Sequence, residues 1–176
     1  GDVSGALPIA LNGLEGEYFD LRVFMPFHAK VKDYNPPHRL IGSFNYKLMN
    51  DTNLQCELYL SQIGNTKVYL LDNEYINHNS PIYHGDWRLD GLKYVSFSLL
   101  VLEAAKFLDW KPDILHANDW HTALAINALE QHYKDDPFYK DTKTVLSIHN
   151  LPFNGWGSQE AMSMLGFSPT TDPDLP

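Results

Sequence analysis

The sequence predicts an α/β fold with a mostly parallel sheet, on three observations. Asp113–Ala117 and Thr144–Ile148 are short runs rich in apolar and β-branched residues, the pattern of parallel strands covered on both faces. Between them, Thr122–Tyr133 places Ile126, Leu129 and Tyr133 at i, i+3 and i+7, one face of a helix. Strand, helix and strand over roughly 30 residues is the span of a βαβ unit, whose two strands run parallel.

The remaining elements follow in chain order. Asp2–Ala10 is expected to open a helix, with Asp2 or Ser4 as N-cap and Pro8 interrupting it. Leu21–Pro26 reads as a strand closed by its proline, and His28–Arg39 as a polar loop. Leu40–Leu48, Leu54–Ile63 and Thr66–Leu71 are three more strand candidates. In the second, Leu54, Cys56, Leu58 and Leu60 alternate with Gln55, Glu57, Tyr59 and Ser61, the period of a half-buried antiparallel strand. Gly64-Asn65 marks a hairpin turn, so an antiparallel excursion is expected beside the parallel strands. Asp72–Asp90 is an aromatic, asparagine-rich loop. From Leu89 to Leu108, Leu92, Val95, Leu99 and Leu102 fit one helical face and Phe97, Val101, Ala104 and Leu108 a second. That helix should be packed on two sides. The tail from Phe167 has three prolines in ten residues and reads as a loop or frayed end.

At 176 residues the chain can bury a real core and is most simply one domain. Its net charge of −9, from 13 basic and 22 acidic residues without a Lys/Arg run, argues against nucleic acid as a partner. The single cysteine, Cys56, has no internal disulfide partner, which suits a reducing compartment. No apolar run reaches the length of a membrane span, so no membrane partner is expected.

In open α/β sheets, ligands sit outside the carboxyl ends of the strands. Asn118, Asp119, Trp120, His121, His149 and Asn150 fall there. Asp119, between a strand and a helix, is an N-cap candidate as well as a chemical one. His116, inside its strand, reads as a buried, hydrogen-bonded structural histidine. Trp120 and His121 are large rings at the mouth of the crevice, suited to an apolar sugar face or a base. Neighbouring strands lie about 4.8 Å apart, so Asp119 and His149 can flank one ligand if their strands are adjacent. His116, Asp119, His121 and His149 also resemble a ligand set for a divalent metal. Alternation along the strand points His116 and His121 in different directions, so no metal site is expected. No G-x-S-x-G elbow, P-loop, G-x-G-x-x-G or H-E-x-x-H stands in the chain.

In this order and spacing, HANDWHTAL and SIHNLPFNGW resemble the amino-terminal domain of bacterial glycogen synthases and plant starch synthases, retaining glucosyltransferases of the two-domain GT-B type. GDVSGALPIAL is similar to the segment that follows the Lys-x-Gly-Gly-Leu donor-binding motif of that family, and KVYLLDNEYI and WKPDILHANDW match in kind. IGSFNYKLMNDTNLQCEL and GDWRLDGLKYVSFSLL match loosely, as in a divergent member. The resemblance implies the Rossmann-like amino-terminal half of a GT-B enzyme, in bacterial cytoplasm or plastid stroma. The reaction it implies is transfer of glucose from ADP-glucose or UDP-glucose to an α-1,4-glucan with retention, without a metal or other cofactor. It assigns Asp119 and His149 to catalysis, Asp119 near the transferred sugar and His149 against its anomeric region. Trp120, His121 and Asn150, with Gly1 and Asp2 at the opening, are assigned to substrate binding. The lysine motif does not stand in this chain, nor do the Arg/Lys pair and catalytic Glu of the family's second domain. The expectation is therefore half an enzyme, silent by itself. Two other readings stay open: a non-catalytic carbohydrate-binding or regulatory module, and a metal-dependent hydrolase built on the His/Asp cluster.

Overall fold

The computed structural model describes residues 2–14, 19–48, 51, 53–77, 79–155 and 157–167. In chain order the elements are α1 (Asp2–Asn12), β1 (Arg22–Pro26), α2 (Ala29–Tyr34), β2 (His38–Lys47), β3 (Asn53–Ile63) and β4 (Thr66–Asp72). Then come α3 (Trp87–Phe107), β5 (Ile114–Asn118), α4 (Trp120–His132), β6 (Lys143–Ser147) and α5 (Ser158–Met164). The strands form a four-stranded sheet, β1-β4-β3-β2, and a separate pair, β5-β6. β1 runs parallel to β4 and β5 to β6, while β2, β3 and β4 make an antiparallel meander. This is the α/β class the sequence predicts, parallel units carrying an antiparallel excursion. Gly64, at φ 57°, turns the β3–β4 hairpin in the left-handed region that glycine enters without strain.

α3 is the centre of the molecule. Its residues are buried almost continuously from Asp90 to Ala105, because the sheet lies on one side and α4 and α5 on the other. Gly91 lets α5 approach closely: a Cβ there would stand 3.0 Å from the Cβ of Ala161. Leu54, Cys56 and Leu58 of β3 and Leu71 of β4 are fully buried in the same cluster. Each buried leucine contributes roughly 1.5–3 kcal/mol by leaving water. The alternation of β3 changes face partway along. Leu60 is only half-buried, whereas Ser61 is buried and donates to the Pro37 carbonyl at 2.9 Å. The second face has its own cover there, a small cluster of Phe27, Val68 and Leu70 joined by Val31 of α2 and by Tyr59.

Other expectations are corrected. Pro8 does not interrupt α1, which continues to Asn12. Most of this helix is solvent-exposed, so a carbonyl deprived of its i+4 donor can turn to water. The expected polar loop at 28–39 contains α2, too short to show a period, ended by Asn35 at φ 41° with its N–H on the Lys32 carbonyl. α5 was not foreseen for the same reason. α4 faces α3 with Ala125, Ala128, Leu129 and Tyr133 rather than with Ile126, because small residues let the two helices close up. Residues 168–176, the greater part of the proline-rich tail, lie outside the described residues. No helix among the described residues is long and apolar enough to cross a membrane.

Candidate active site at the ends of two parallel strands

β5 and β6 pair in register from Ile114↔Lys143 to Asn118↔Ser147, so the residues after each strand emerge side by side. The Asp119 N–H adds one more rung, donating to the Ser147 carbonyl at 2.8 Å. There the backbone turns sharply, with Asp119 at φ 56° and ψ −176°, a region left almost entirely to glycine. Holding a β-carbon there costs about 1–3 kcal/mol and persists only when its surroundings enforce it.

The enforcement is visible. Asp119 Oδ1 accepts from the His149 N–H at 2.6 Å and from the Asn150 N–H at 3.3 Å. This corrects the N-cap expectation, since the carboxylate makes no cap bond to α4 and is aimed across at the neighbouring strand. Thr122 braces the start of α4 instead: its Oγ1 accepts from the Asn118 N–H at 2.6 Å and donates to the Asn118 carbonyl at 2.9 Å. The His149 ring is tied to the same strand end, its Nε2 2.9 Å from Asn118 Oδ1. Asp119, His149 and Asn150 thus form one latch at the mouth of the sheet.

Trp120 and His121 belong to a cluster of rings beside it. The His121 ring packs edge-on to Tyr94 with centroids 4.5 Å apart, and its Nε2 is 2.7 Å from the Tyr83 hydroxyl. The Trp120 ring lies 4.3 Å from His121 and 5.1 Å from Tyr94. Burial lowers the His121 pKa against the opposing pull of Asp119 and Asp90, which favours the neutral imidazole. Burial, then the Asp119 and Asp90 charges, raise the Tyr83 phenol. Trp120 also presses on the loop after Asn150: a Cβ at Gly155, φ 78°, would stand 2.8 Å from Trp120 Cε3. Tyr83, Tyr94 and Gly155 were not singled out in the sequence. The aromatic loop held the first, but nothing in its spacing shows that it folds back 38 residues onto His121.

Two expectations fail here. His116 is exposed rather than buried, its Nε2 2.8 Å from Ser147 Oγ. The strands are not covered on both faces either: Val145 and Leu146 are 44% and 45% exposed. α4 covers one face, burying Ala117, and no described element covers the other. Gly1 lies outside the described residues, as does the side chain of Asp2, so neither is placed relative to the latch; Trp156 is likewise outside them. Among the described residues, no three His, Cys, Asp or Glu side chains converge in a way that could hold a metal ion. A shallow cleft of about 220 Å³, lined by residues including Tyr133, Lys134 and Lys143, opens at the far end of β6, away from this chemistry.

A family model described as the starch synthase catalytic domain matches residues 1–175. Among curated relatives, a glycogen synthase of Clostridium perfringens (strain 13 / Type A) is 36% identical over 171 residues, which cover 94% of this chain and 33% of that one. A glycogen synthase of Bacillus cereus (strain B4264) is 37% identical over 166 residues, covering 92% and 33%. The chain therefore spans about a third of the length of the curated relatives it matches. Among solved structures, the catalytic domain of starch synthase IV from Arabidopsis thaliana, bound to ADP and acarbose, superposes with a TM-score of 0.66 at 17% identity. That match covers 76% of this chain and 27% of the other, and it carries the fold alone.

Proposed function

Because this chain belongs to the starch synthase catalytic-domain family, we propose that it is the amino-terminal, sugar-facing half of a retaining glucosyltransferase. The reaction is transfer of glucose from ADP-glucose or UDP-glucose to the non-reducing end of an α-1,4-glucan. The observation that carries this reading is the Asp119 latch, a strained carboxylate holding His149 and Asn150 at the carboxyl ends of two parallel strands. Asp119 Oδ1 is committed to two backbone N–H groups, which leaves Oδ2 for a sugar hydroxyl. His149 and Asn150, fixed by that latch, line the face where the anomeric carbon acquires oxocarbenium character. Trp120 and His121 offer ring surface to the sugar. An α-linked donor yielding an α-linked product is net retention.

The diphosphate needs counter-charge that the described residues on the crevice side do not supply. Arg88 is paired with Glu160 at 2.8 Å, and Lys93 is turned onto loop carbonyls. We assign that role to a second, nucleotide-binding domain in the remainder of the polypeptide. The test is glucosyl transfer from ADP-[14C]glucose and UDP-[14C]glucose to glycogen by the full-length protein. Label in the glucan is the expected result. Glucan binding without transfer points to a binding module, and chelator-sensitive hydrolysis to a metal enzyme; either result overturns this reading.

A further inference from the structure

Lys93 is fully buried, the one Lys or Arg side chain among the described residues with no exposed surface. An ammonium taken out of water needs strong partners, and a methionine of similar length would fill the space without that demand. Its partners belong to the segment 79–86, which is neither helix nor strand. Nζ donates to the Pro81 carbonyl and, at 3.2 Å, to the Ile82 carbonyl. Tyr94, the next residue on α3, donates its hydroxyl to the same Ile82 carbonyl at 2.8 Å. One turn earlier, Asp90 Oδ1 accepts the His84 N–H at 2.9 Å and lies 3.0 Å from His84 Nδ1. Asp90, Lys93 and Tyr94 stand at i, i+3 and i+4, a single face of the most buried helix in the molecule. Together they grip the residues on both sides of Tyr83 and leave Tyr83 between them, 2.7 Å from His121 Nε2.

We propose that Lys93 is a positioning residue: it seats the segment 79–86 so that the Tyr83 hydroxyl holds the His121 ring in one orientation and one tautomer at the crevice. A phenol that donates to Nε2 leaves the proton of the neutral imidazole on Nδ1. The backbone of His121 is fixed separately, its carbonyl accepting from Ser98 Oγ at 3.1 Å. The ring packs against Tyr94 and Trp120, so its polar edge is the part left for Tyr83 to orient. That this matters for glucosyl transfer rests on the function proposed above, but the state of the His121 ring does not.

The experiment is a double-mutant cycle, Tyr83→Phe and Lys93→Met, on the full-length protein. It is read by the ring 15N shifts of His121 and by steady-state kinetics of transfer to glycogen. Wild type should show a His121 ring protonated on Nδ1, and each single variant should shift that balance toward Nε2–H. Tyr83→Phe should lower kcat about 3- to 10-fold, the worth of one hydrogen bond, with KM little changed. In the Tyr83→Phe background, Lys93→Met should alter neither readout further, because residues acting through one contact are not additive. His121 signals unchanged in Tyr83→Phe overturn the proposal, as do independent, additive effects. If Lys93→Met does not fold, Lys93→Gln, which is too short to keep both carbonyl contacts, takes its place in the cycle; a His121 ring unchanged from wild type in that variant overturns the role of Lys93. Normal His121 coupling in a protein that transfers no glucose leaves the positioning intact and removes the glucosyltransferase reading instead.

Discussion

β4 and β6 are both short apolar strands in parallel pairs, yet β4 is buried along almost its whole length and β6 is half-exposed. What separates them is cover. β4 lies inside a four-stranded sheet with α3 on one face and the Phe27 cluster on the other. β6 pairs only with β5 among the described residues and meets α4 on one side. The strained turn at Asp119 and the His149 it holds stand at the end of the less buried pair. A run of apolar residues therefore reports that a strand forms, not what will pack on it, and here the tightest packing and the proposed site stand on different strands.

The largest test of that division is truncation. Leu71→Ala, in the fully buried part of β4, should cost about 2–5 kcal/mol in urea unfolding. Val145→Ala in β6, 44% exposed, should cost less than about 1 kcal/mol. Equal losses would show that β6 has a hidden cover and would break the comparison.

A second test is acid. His28, at the end of β1, is buried, and its pKa is pushed down to about 4 by that burial and then by the Lys93 charge. Its folded pKa is below its unfolded value, so its contribution is fully present above about 6.5 and is lost as pH falls toward 4. The loss should reach roughly 2–3 kcal/mol. His28→Phe should flatten the unfolding free energy across that window; an unchanged slope would mean that His28 is solvated.

Much of this was legible beforehand. The positions of β3, β4 and α3 follow from periodicity because long, regular patterns dominate local choices. The placement of Asp119 beside His149 followed from the βαβ unit and the rule that ligands sit at strand ends. The latch itself was not legible. Asp119 looks like a helix cap in sequence, and only the left-handed turn aims its carboxylate at the next strand. His116 was misjudged because burial was inferred from strand type alone. The Tyr83–His121 bond joins residues 38 apart through a loop with no period, so no sequence pattern carries it.

A smaller effect should appear in the loop after the latch. Gly155→Ala forces a Cβ to within 2.8 Å of Trp120 Cε3 at a φ of 78°. That should cost about 1–2 kcal/mol locally. Hydrogen exchange of the His149 and Asn150 amides should speed up roughly tenfold while β3 and β4 amides stay protected. Uniform acceleration would mean that this loop is part of the global core.

The central claim is that Asp119 acts on the sugar as well as holding the latch, and Asp119→Asn separates the two. Asparagine matches aspartate in size, so it adds no new backbone strain at the turn, and it keeps an amide oxygen to accept from His149 and Asn150, but it carries no charge. The measurement is kcat for glucosyl transfer per folded molecule, taken beside Tm, in the full-length protein. The account predicts a Tm close to wild type and a kcat lower by roughly 10²–10³, the scale of a preorganised group facing developing charge. A variant that keeps its Tm and also keeps near-normal turnover would contradict it, leaving Asp119 as a fastener and the chemistry elsewhere.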